Sequence, residues 1–319
     1  MRRKKKSKRM KWMWGFIIIC VIAVLSYQCG VRIICSENMQ NILGKNTTSV
    51  KNESDTIKPV EEVVLPALMF HHIDDKSNNA WVITPETLEK DLKIIRDAGY
   101  QPVSMSQLVD YVYHDKALPD KPMCITFDDG YLSNYEVAYP LLKQYQMKAT
   151  IFSIGKTIGY RTYGDTGIPI TPHFSYKQAV EMMNSGWIDV QSHTYDMHQS
   201  AKLETQYPVR ETIAQLEDES DSSYVNAVKD DLTCYQEEYQ NHTGRTLFAL
   251  AYPKGKCSVL TEQMVHELGY QITFTINSHH KNIIVQNQPE TLYQLGRLNV
   301  SEDITEEELR QYLTEGYLQ

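Results

Sequence analysis

From about residue 63 onward, two patterns of hydrophobic positions take turns along the chain. One is a short apolar run, and the other is a longer segment with apolar residues three or four positions apart. Short apolar runs bounded by polar residues are typical of buried strands, whereas apolar residues three or four positions apart indicate amphipathic helices. The predicted strands are 63–72, 101–104, 122–127, 149–154, 187–192, 247–252, 272–276 and 293–300, and the predicted helices are 84–98, 106–113, 136–145, 176–185, 222–242, 258–268 and 305–318. This alternation favours an α/β fold with a parallel sheet, and about seven or eight strands would suit a barrel.

The residues before this body divide into three segments of different composition. Residues 1–11 include eight Lys or Arg, and residues 12–35 form a mainly apolar run in which 12–27 has no charged side chain. Because roughly 20 apolar residues can cross a bilayer as a helix, the pattern predicts a transmembrane anchor at 12–35. The basic flank predicts a cytoplasmic tail at 1–11 and a body outside the cell. The polar residues 36–62 are typical of a flexible stalk, so that 63–319 forms one domain.

The charge and the cysteines narrow the class of protein. The whole chain has a formal net charge of −8, but the residues from 37 onward hold 23 Lys or Arg against 40 Asp or Glu, a balance of −17. An acidic body disfavours nucleic-acid binding, which depends on Lys and Arg contacts to phosphate. Three of the six cysteines lie in or beside the apolar run, and the three in the body are widely spaced. That spacing disfavours a disulfide framework and provides no C-x-x-C metal pair.

Acidic residues and histidines follow two of the predicted strands. Asp128 and Asp129 end one strand, and His193 and His198 follow another. The histidines are five residues apart, which does not place them on one helix face, so a loop must bring them together. Asp129, His193 and His198 would offer a divalent ion one oxygen and two nitrogens, which suits Zn and also Fe, Co or Ni. Asp128, without a ligand role, could then act as a general base.

Each of these features also has a simpler interpretation. An Asp-Asp pair after a strand is common in turns, and a single histidine is more often structural than a metal ligand. Two histidines within six residues, downstream of an acidic pair at another strand end, shift the balance toward metal binding.

Three motifs resemble those of a known family. T-F-D-D-G (126–130), S-H-T-Y-D-M-H (192–198) and A-Y-P-K-G (251–255), in this order, resemble the polysaccharide deacetylases, the NodB-homology domain of carbohydrate esterase family 4. The longer histidine spacing and the Y-P-x-G form are similar to the poly-N-acetylglucosamine deacetylases. The resemblance implies a distorted (β/α) barrel and the metal-dependent removal of acetyl groups from N-acetylated sugars, with Zn as the expected ion.

The resemblance also implies roles for residues at the matching positions. It assigns the base to Asp128, the metal ligands to Asp129, His193 and His198, and the oxyanion-binding backbone amide to Lys254. The arginine that positions the base in the family falls on Ala251 here, and Arg297 is the expected substitute. The family's late histidine, a general acid, is absent from 295–300, and His71, His72, His279 or His280 could supply the proton instead. His71, at a predicted strand end, is the preferred candidate, and its alternative interpretation is a buried structural histidine.

The sequence therefore predicts a membrane-anchored, extracellular N-deacetylase that acts on a cell-wall or exopolysaccharide containing N-acetylglucosamine. Its expected partners are the polysaccharide and the membrane, with no nucleic acid. Trp187 and Tyr195 are candidate sugar contacts, and the long acidic insert 199–224 is predicted to be a solvated loop beside the cleft. The alternative function is a catalytically weak glycan-binding protein on the same fold, and the alternative to the anchor is a cleaved signal peptide.

Overall fold

The computed structural model describes residues 62–318. The predicted tail, anchor and stalk lie outside the described residues, apart from Glu62. Within 62–318, the helices are too short or too polar to cross a membrane.

Strands and helices alternate through the described chain, with short helical turns between some of them. The strands are β1 (Glu62–Val64), β2 (Ala67–Phe70), β3 (His72–Ile73), β4 (Val82–Ile83), β5 (Gln101–Pro102), β6 (Pro122–Asp129), β7 (Ala149–Ser153), β8 (Ile188–Ser192), β9 (Ala249–Ala251), β10 (Ile272–Phe274), β11 (Ile283–Val285) and β12 (Leu298–Asn299). The helices are α1 (Pro85–Asp97), α2 (Met105–His114), α3 (Tyr139–Tyr145), α4 (Tyr176–Asn184), α5 (Asp221–Thr243), α6 (Val259–Glu267) and α7 (Glu306–Glu315). A π-helical turn, Asn134–Ala138, leads into α3, and 3-10 turns occur at Gly155–Thr157, Gly164–Thr166, Pro253–Gly255 and Pro289–Leu292.

The central sheet is parallel and follows the order β10-β9-β8-β7-β6-β2-β12, with β5 pairing beside β6. These strands form a half-barrel, which confirms the predicted α/β class with a parallel sheet. Two smaller pairs lie outside it: β1 with β11 is antiparallel, and β3 with β4 is parallel.

A short segment before and within β12 links the two edges of this sheet. Leu295 forms a parallel bridge with Phe274 in β10, and Leu298 pairs with Leu68 in β2. The predicted strand 293–300 is therefore mostly irregular, and only Leu298 and Asn299 form a regular strand. This irregular closure is where the fold departs from a regular barrel.

Local sequence explains where most elements begin and end. All eight residues of β6 are buried, as expected for a central parallel strand covered on both faces. Ser104, Ser175 and Thr305 each cap a helix through reciprocal bonds with the third helical residue. Pro66 lies between β1 and β2, so the predicted strand 63–72 is divided into shorter strands. The pairs β3–β4 and β1–β11 are too short to produce a recognisable period.

The strand register places the carboxyl ends of three neighbouring strands at one level. Asp129 at the end of β6 is paired with Ser153 in β7, and Ser153 is paired with Ser192 in β8. The residues that follow β6 and β8 therefore emerge side by side at the same edge of the sheet.

Candidate metal and catalytic site

The structure brings the three predicted metal ligands together. One ligand atom from each of Asp129, His193 and His198 lies within 4.8 Å of the other two. Oδ1 of Asp129 is 3.6 Å from Nε2 of His193 and 3.7 Å from Nε2 of His198. The two histidines belong to a loop after β8 in which Thr194 has a positive φ of 70°. The loop thus brings His193 and His198 together, which a helix could not do at a spacing of five residues.

The hydrogen bonds of this trio fit a bound divalent ion. Nδ1 of His193 lies 2.7 Å from the carbonyl oxygen of Ala251, and Nδ1 of His198 lies 3.1 Å from that of Glu211. Because a carbonyl can only accept, each Nδ1 carries the proton and each Nε2 offers a lone pair toward Asp129. Oδ1 of Asp129 is buried and accepts no hydrogen bond from any residue in 62–318. A buried carboxylate oxygen without a donor is expected where a cation binds.

The electrostatic environment keeps Asp129 and His193 in the protonation states that a metal ion requires. Burial would raise the pKa of Asp129, but the nearby imidazoles, chiefly that of His198, lower it to about 2. Burial lowers the pKa of His193 to about 4, which the neighbouring aspartates only partly offset. At neutral pH Asp129 is therefore an ionised carboxylate, and His193 is a neutral imidazole whose Nε2 is free to bind metal.

Arg297 holds the second aspartate of the pair. Its two terminal nitrogens donate to both oxygens of Asp128, at 2.6 and 2.8 Å, and neither side chain is significantly exposed. Arg297 also donates to Thr126 Oγ1 and to the carbonyl of Thr275. Burial would raise the pKa of Asp128, but Arg297, followed by His193, outweighs this effect and keeps the pKa below its ordinary value. The guanidinium absent at Ala251 is thus supplied from the irregular segment just before β12.

Lys254 lies beside the same cavity in a constrained turn. Its φ is 55°, between Pro253 and Gly255, and its side chain forms an ion pair with Glu211 at 3.2 Å. A Cβ on Gly255 would lie 2.6 Å from the backbone nitrogen of Ile276, so the turn requires glycine there. Lys254 in this turn and Asp128 line the same cavity.

His71 also lines this cavity. Its Nδ1 is buried and has no hydrogen-bond partner among the described residues, and its ring lies 4.8 Å from that of Trp81. Burial, more than any other effect, lowers the pKa of His71, although Asp128 acts in the opposite direction. The imidazole is therefore neutral at pH 7 and can accept a proton.

The cavity has a volume of about 650 Å³, enough for a sugar unit and parts of its neighbours. Trp81 and Tyr131 line it, and sequence reasoning missed both. Trp187, expected to contact sugar, instead lies just before β8 and lines a separate cavity at the opposite ends of the strands. Tyr195 is in the histidine loop but packs toward Tyr235.

The insert 199–224 is more than the solvated loop that the sequence predicted. The carbonyl of Glu211 accepts from His198, and the backbone N–H of Gln199 donates to the carbonyl of Arg210 at 2.9 Å. The insert therefore orients a candidate metal ligand. Its sequence has no hydrophobic period that could have indicated this role.

Comparison with known proteins identifies the family. The profile of the polysaccharide deacetylase family matches residues 115–273. YxkH of Bacillus subtilis (strain 168), whose name assigns it to these deacetylases without stating a substrate, is 31% identical over 254 residues, which cover 79% of this chain and 77% of YxkH. The chain belongs to the polysaccharide deacetylase family, whose members are hydrolases of the acetyl amide of N-acetylated sugars.

Other relatives have names that state a substrate. The poly-β-1,6-N-acetyl-D-glucosamine N-deacetylase of Staphylococcus epidermidis is 26% identical over 231 residues, 72% of either chain. That of Escherichia coli is 25% identical over 226 residues, which are 66% of this chain but 34% of the relative. Among solved structures, a de-N-acetylase from Aggregatibacter actinomycetemcomitans has a TM-score of 0.64 at 22% identity, covering 76% of this chain and 97% of that one. This likeness confirms the deacetylase fold.

Proposed function

We propose that this protein is a metal-dependent N-deacetylase of a poly-N-acetylglucosamine exopolysaccharide. The observation that carries the proposal is the convergence of Asp129, His193 and His198 beside the buried Asp128–Arg297 pair. Relatives named for poly-β-1,6-N-acetylglucosamine support the choice of polymer. The donor set of two imidazoles and one carboxylate favours Zn, and Fe, Co or Ni have compatible ligand preferences. Such an ion would polarise the acetyl carbonyl and make water more acidic.

Asp128 is the proposed base. It takes a proton from the water molecule whose oxygen attacks the acetyl carbon, and Arg297 keeps its carboxylate ionised and fixed in orientation. The backbone N–H of Lys254 is the proposed donor to the negative oxygen that develops on the carbonyl. The neutral His71 is the proposed carrier of that proton: it accepts the proton from Asp128 and passes it to the departing nitrogen. The carbon–oxygen bond forms, the carbon–nitrogen bond breaks, and the products are acetate and a glucosamine amine.

The charges around the cavity favour an uncharged polymer. Lys254 is the only Lys or Arg among the described residues lining the cavity, and its ammonium is already paired with Glu211. The described lining therefore offers no unpaired Lys or Arg to bind a carboxylated or phosphorylated sugar. This lack favours an exopolysaccharide of neutral N-acetylglucosamine over a strongly anionic cell-wall polymer.

The proposal includes anchoring of the protein at the outer surface of the membrane by residues 12–35. The eight basic residues in 1–11 and the uncharged stretch 12–27 support this orientation. We expect the full chain to sediment with membranes and its body to be cut by protease added to intact cells. A chain that starts at residue 36 should be released from the membrane. Recovery of the intact chain in the soluble fraction, or removal of the first residues from the mature protein, would argue against an anchor.

The decisive test of the function is acetate release by the purified protein. We expect release from a β-1,6-linked N-acetylglucosamine pentamer to exceed that from a β-1,4-linked pentamer or peptidoglycan. A chelator should abolish release, and Zn, Co or Ni should restore it. Protein that binds metal and pentamer but releases no acetate from any of the three would instead support the glycan-binding alternative.

A further inference from the structure

The catalytic cavity contains an exposed tryptophan that the proposed chemistry does not use. Trp81 has 48% of its surface exposed, although an indole gains free energy when it is removed from water. It lines the cavity together with Asp128, Asp129 and the two candidate histidine ligands. An apolar ring exposed at the edge of a polar reaction site indicates a ligand surface there.

Hydrogen bonds hold the backbone that carries the indole of Trp81 at the cavity. Its carbonyl accepts from the N–H of His72 at 3.2 Å, and its own N–H donates to the side chain of Asn79 at 2.8 Å. The side-chain amide of Asn299 donates to the carbonyl of Ala80 at 3.0 Å. The segment before β4 is therefore tied both to β3 and to β12 of the main sheet, which reduces the entropy lost when a ligand binds.

The indole also lies close to the reacting groups. The rings of Trp81 and His71 meet at 64° with their centroids 4.8 Å apart. An edge contact of this kind leaves part of the indole surface free, as its 48% exposure shows. His71, Trp81 and the candidate base Asp128 all line this one cavity. A ring stacked on Trp81 would thus adjoin the sugar that loses its acetyl group.

We propose that Trp81 is a sugar-binding platform, which stacks on the apolar face of the pyranose ring next to the acetylated unit. β-linked glucosamine rings carry equatorial substituents, so their faces expose axial C–H groups that pack well on an indole. The subsite holds one uncharged ring of the polymer and gives the enzyme a preference for oligomers over single sugars. This inference rests on the proposed function, because it names how the same substrate is held.

The test compares binding and turnover in matched variants of the full chain. Trp81→Leu removes the platform, and Trp81→Phe keeps a smaller aromatic face. Tyr207→Leu is the control, because Tyr207 is 94% exposed and does not line this cavity. Each change is also made in an Asp128→Asn background, in which turnover should be strongly slowed, so that calorimetry with the β-1,6-linked pentamer reports affinity.

We expect Trp81→Leu to weaken pentamer binding by about ten-fold and Trp81→Phe by less, because an aromatic surface covering one sugar face is lost. The kcat/KM for the pentamer should fall by a similar factor, mainly through KM. For 4-nitrophenyl acetate, which has no sugar ring, the fall should be less than about three-fold. Tyr207→Leu should match the parent protein in all three measurements.

Two outcomes would overturn the platform. Unchanged pentamer affinity in Trp81→Leu, or no measurable affinity in either background, shows that the indole does not hold sugar. Equal losses on the pentamer and the ester show that Trp81 acts only by positioning His71. If the Asp128→Asn protein binds the pentamer through Trp81 while the parent releases no acetate, the platform stands and the proposed deacetylase function fails.

Discussion

Two adjacent aspartates occupy different environments because the chain turns between them. Successive side chains of a regular strand point to opposite faces, which would separate Asp128 from Asp129. Here Asp129 has a φ of 70° and Gly130 a φ of 83°, so the strand ends in a left-handed turn. Asp128 remains in the sheet and meets Arg297, while Asp129 meets the histidines. One pair of identical residues thus provides a candidate base and a candidate ligand.

This division of roles predicts different results for two substitutions. Asp128→Asn should retain metal but lower kcat by about 10²–10⁴-fold, because a general base contributes roughly that much. Asp129→Ala should lose both metal and activity, because it removes the only oxygen ligand of the trio. Metal content is measured by atomic absorption after dialysis, alongside acetate release. Equal metal loss in the two variants would contradict the assignment.

The Arg297–Asp128 pair is buried, and its disruption should be costly. Arg297→Met should lower the free energy of unfolding by about 3–5 kcal/mol, because it leaves a buried carboxylate without its counter-charge. The double variant Asp128→Asn with Arg297→Met should recover much of this loss, since neither buried charge remains. Denaturant unfolding of the two single variants and the double variant measures the coupling. Additive losses would show that the pair does not act as a unit.

At the scale of elements, helix α5 and the insert before it shape the histidine loop. The carboxylate of Asp231, in α5, accepts from the backbone N–H groups of Tyr195 and Asp196, each at 2.8 Å. The insert contributes the carbonyl of Glu211 to His198. The longer spacing of the two histidines is therefore supported by partners that lie well downstream in the sequence.

Removal of the Asp231 contacts should loosen the loop. Asp231→Ala is expected to weaken Zn affinity by about 10–100-fold, the usual effect of losing a partner that orients a ligand. Asp230→Ala is the matched control, because Asp230 is exposed on the same helix. Competition with a zinc-sensitive dye measures the affinity of both variants. Unchanged affinity in Asp231→Ala, with the helix intact by circular dichroism, would show that the loop does not depend on this carboxylate.

The elements that could be predicted from sequence are those with a clear period or cap. The strand before Asp128 and the helices after Thr84 and Ser175 were located to within a few residues. Strands of two or three residues, such as β3 and β11, have no period and were missed. The contact between Arg297 and Asp128 joins residues 169 positions apart, so only a family resemblance could suggest it. No pattern in the sequence indicated Trp81, because its proposed role depends on the fold around it.

At the scale of the whole molecule, one buried acid links stability to pH. Asp91 lies on the inner face of α1 and is 1% exposed, and its Oδ2 has no hydrogen-bond partner among residues 62–318. Burial raises the pKa of this carboxyl from 3.8 to about 7. The folded state therefore holds a proton that the unfolded chain releases above about pH 4. The contribution of Asp91 to the free energy of unfolding is therefore fully present below pH 4 and decreases as the pH rises toward 7.

The variant Asp91→Asn should remove this dependence. At pH 8 it is expected to be more stable than the parent, by up to about 4 kcal/mol, because no buried carboxyl has to ionise. At pH 4 the two proteins should differ little. Urea unfolding at both pH values measures the difference, with Asp97→Asn, an exposed position in the same helix, as the control. If the difference in stability between Asp91→Asn and the parent is no larger at pH 8 than at pH 4, the linkage is contradicted.

The closing segment 295–299 has a consequence for the order of events during synthesis. It is made late, yet it joins both margins of the sheet and delivers the guanidinium that balances Asp128. A ribosome-bound chain, or one clipped before residue 295, can already possess all three candidate ligands and still lack a competent base. We therefore expect a chain that stops before residue 295 to hold the three candidate ligands but to release no acetate, because Asp128 lacks its counter-charge.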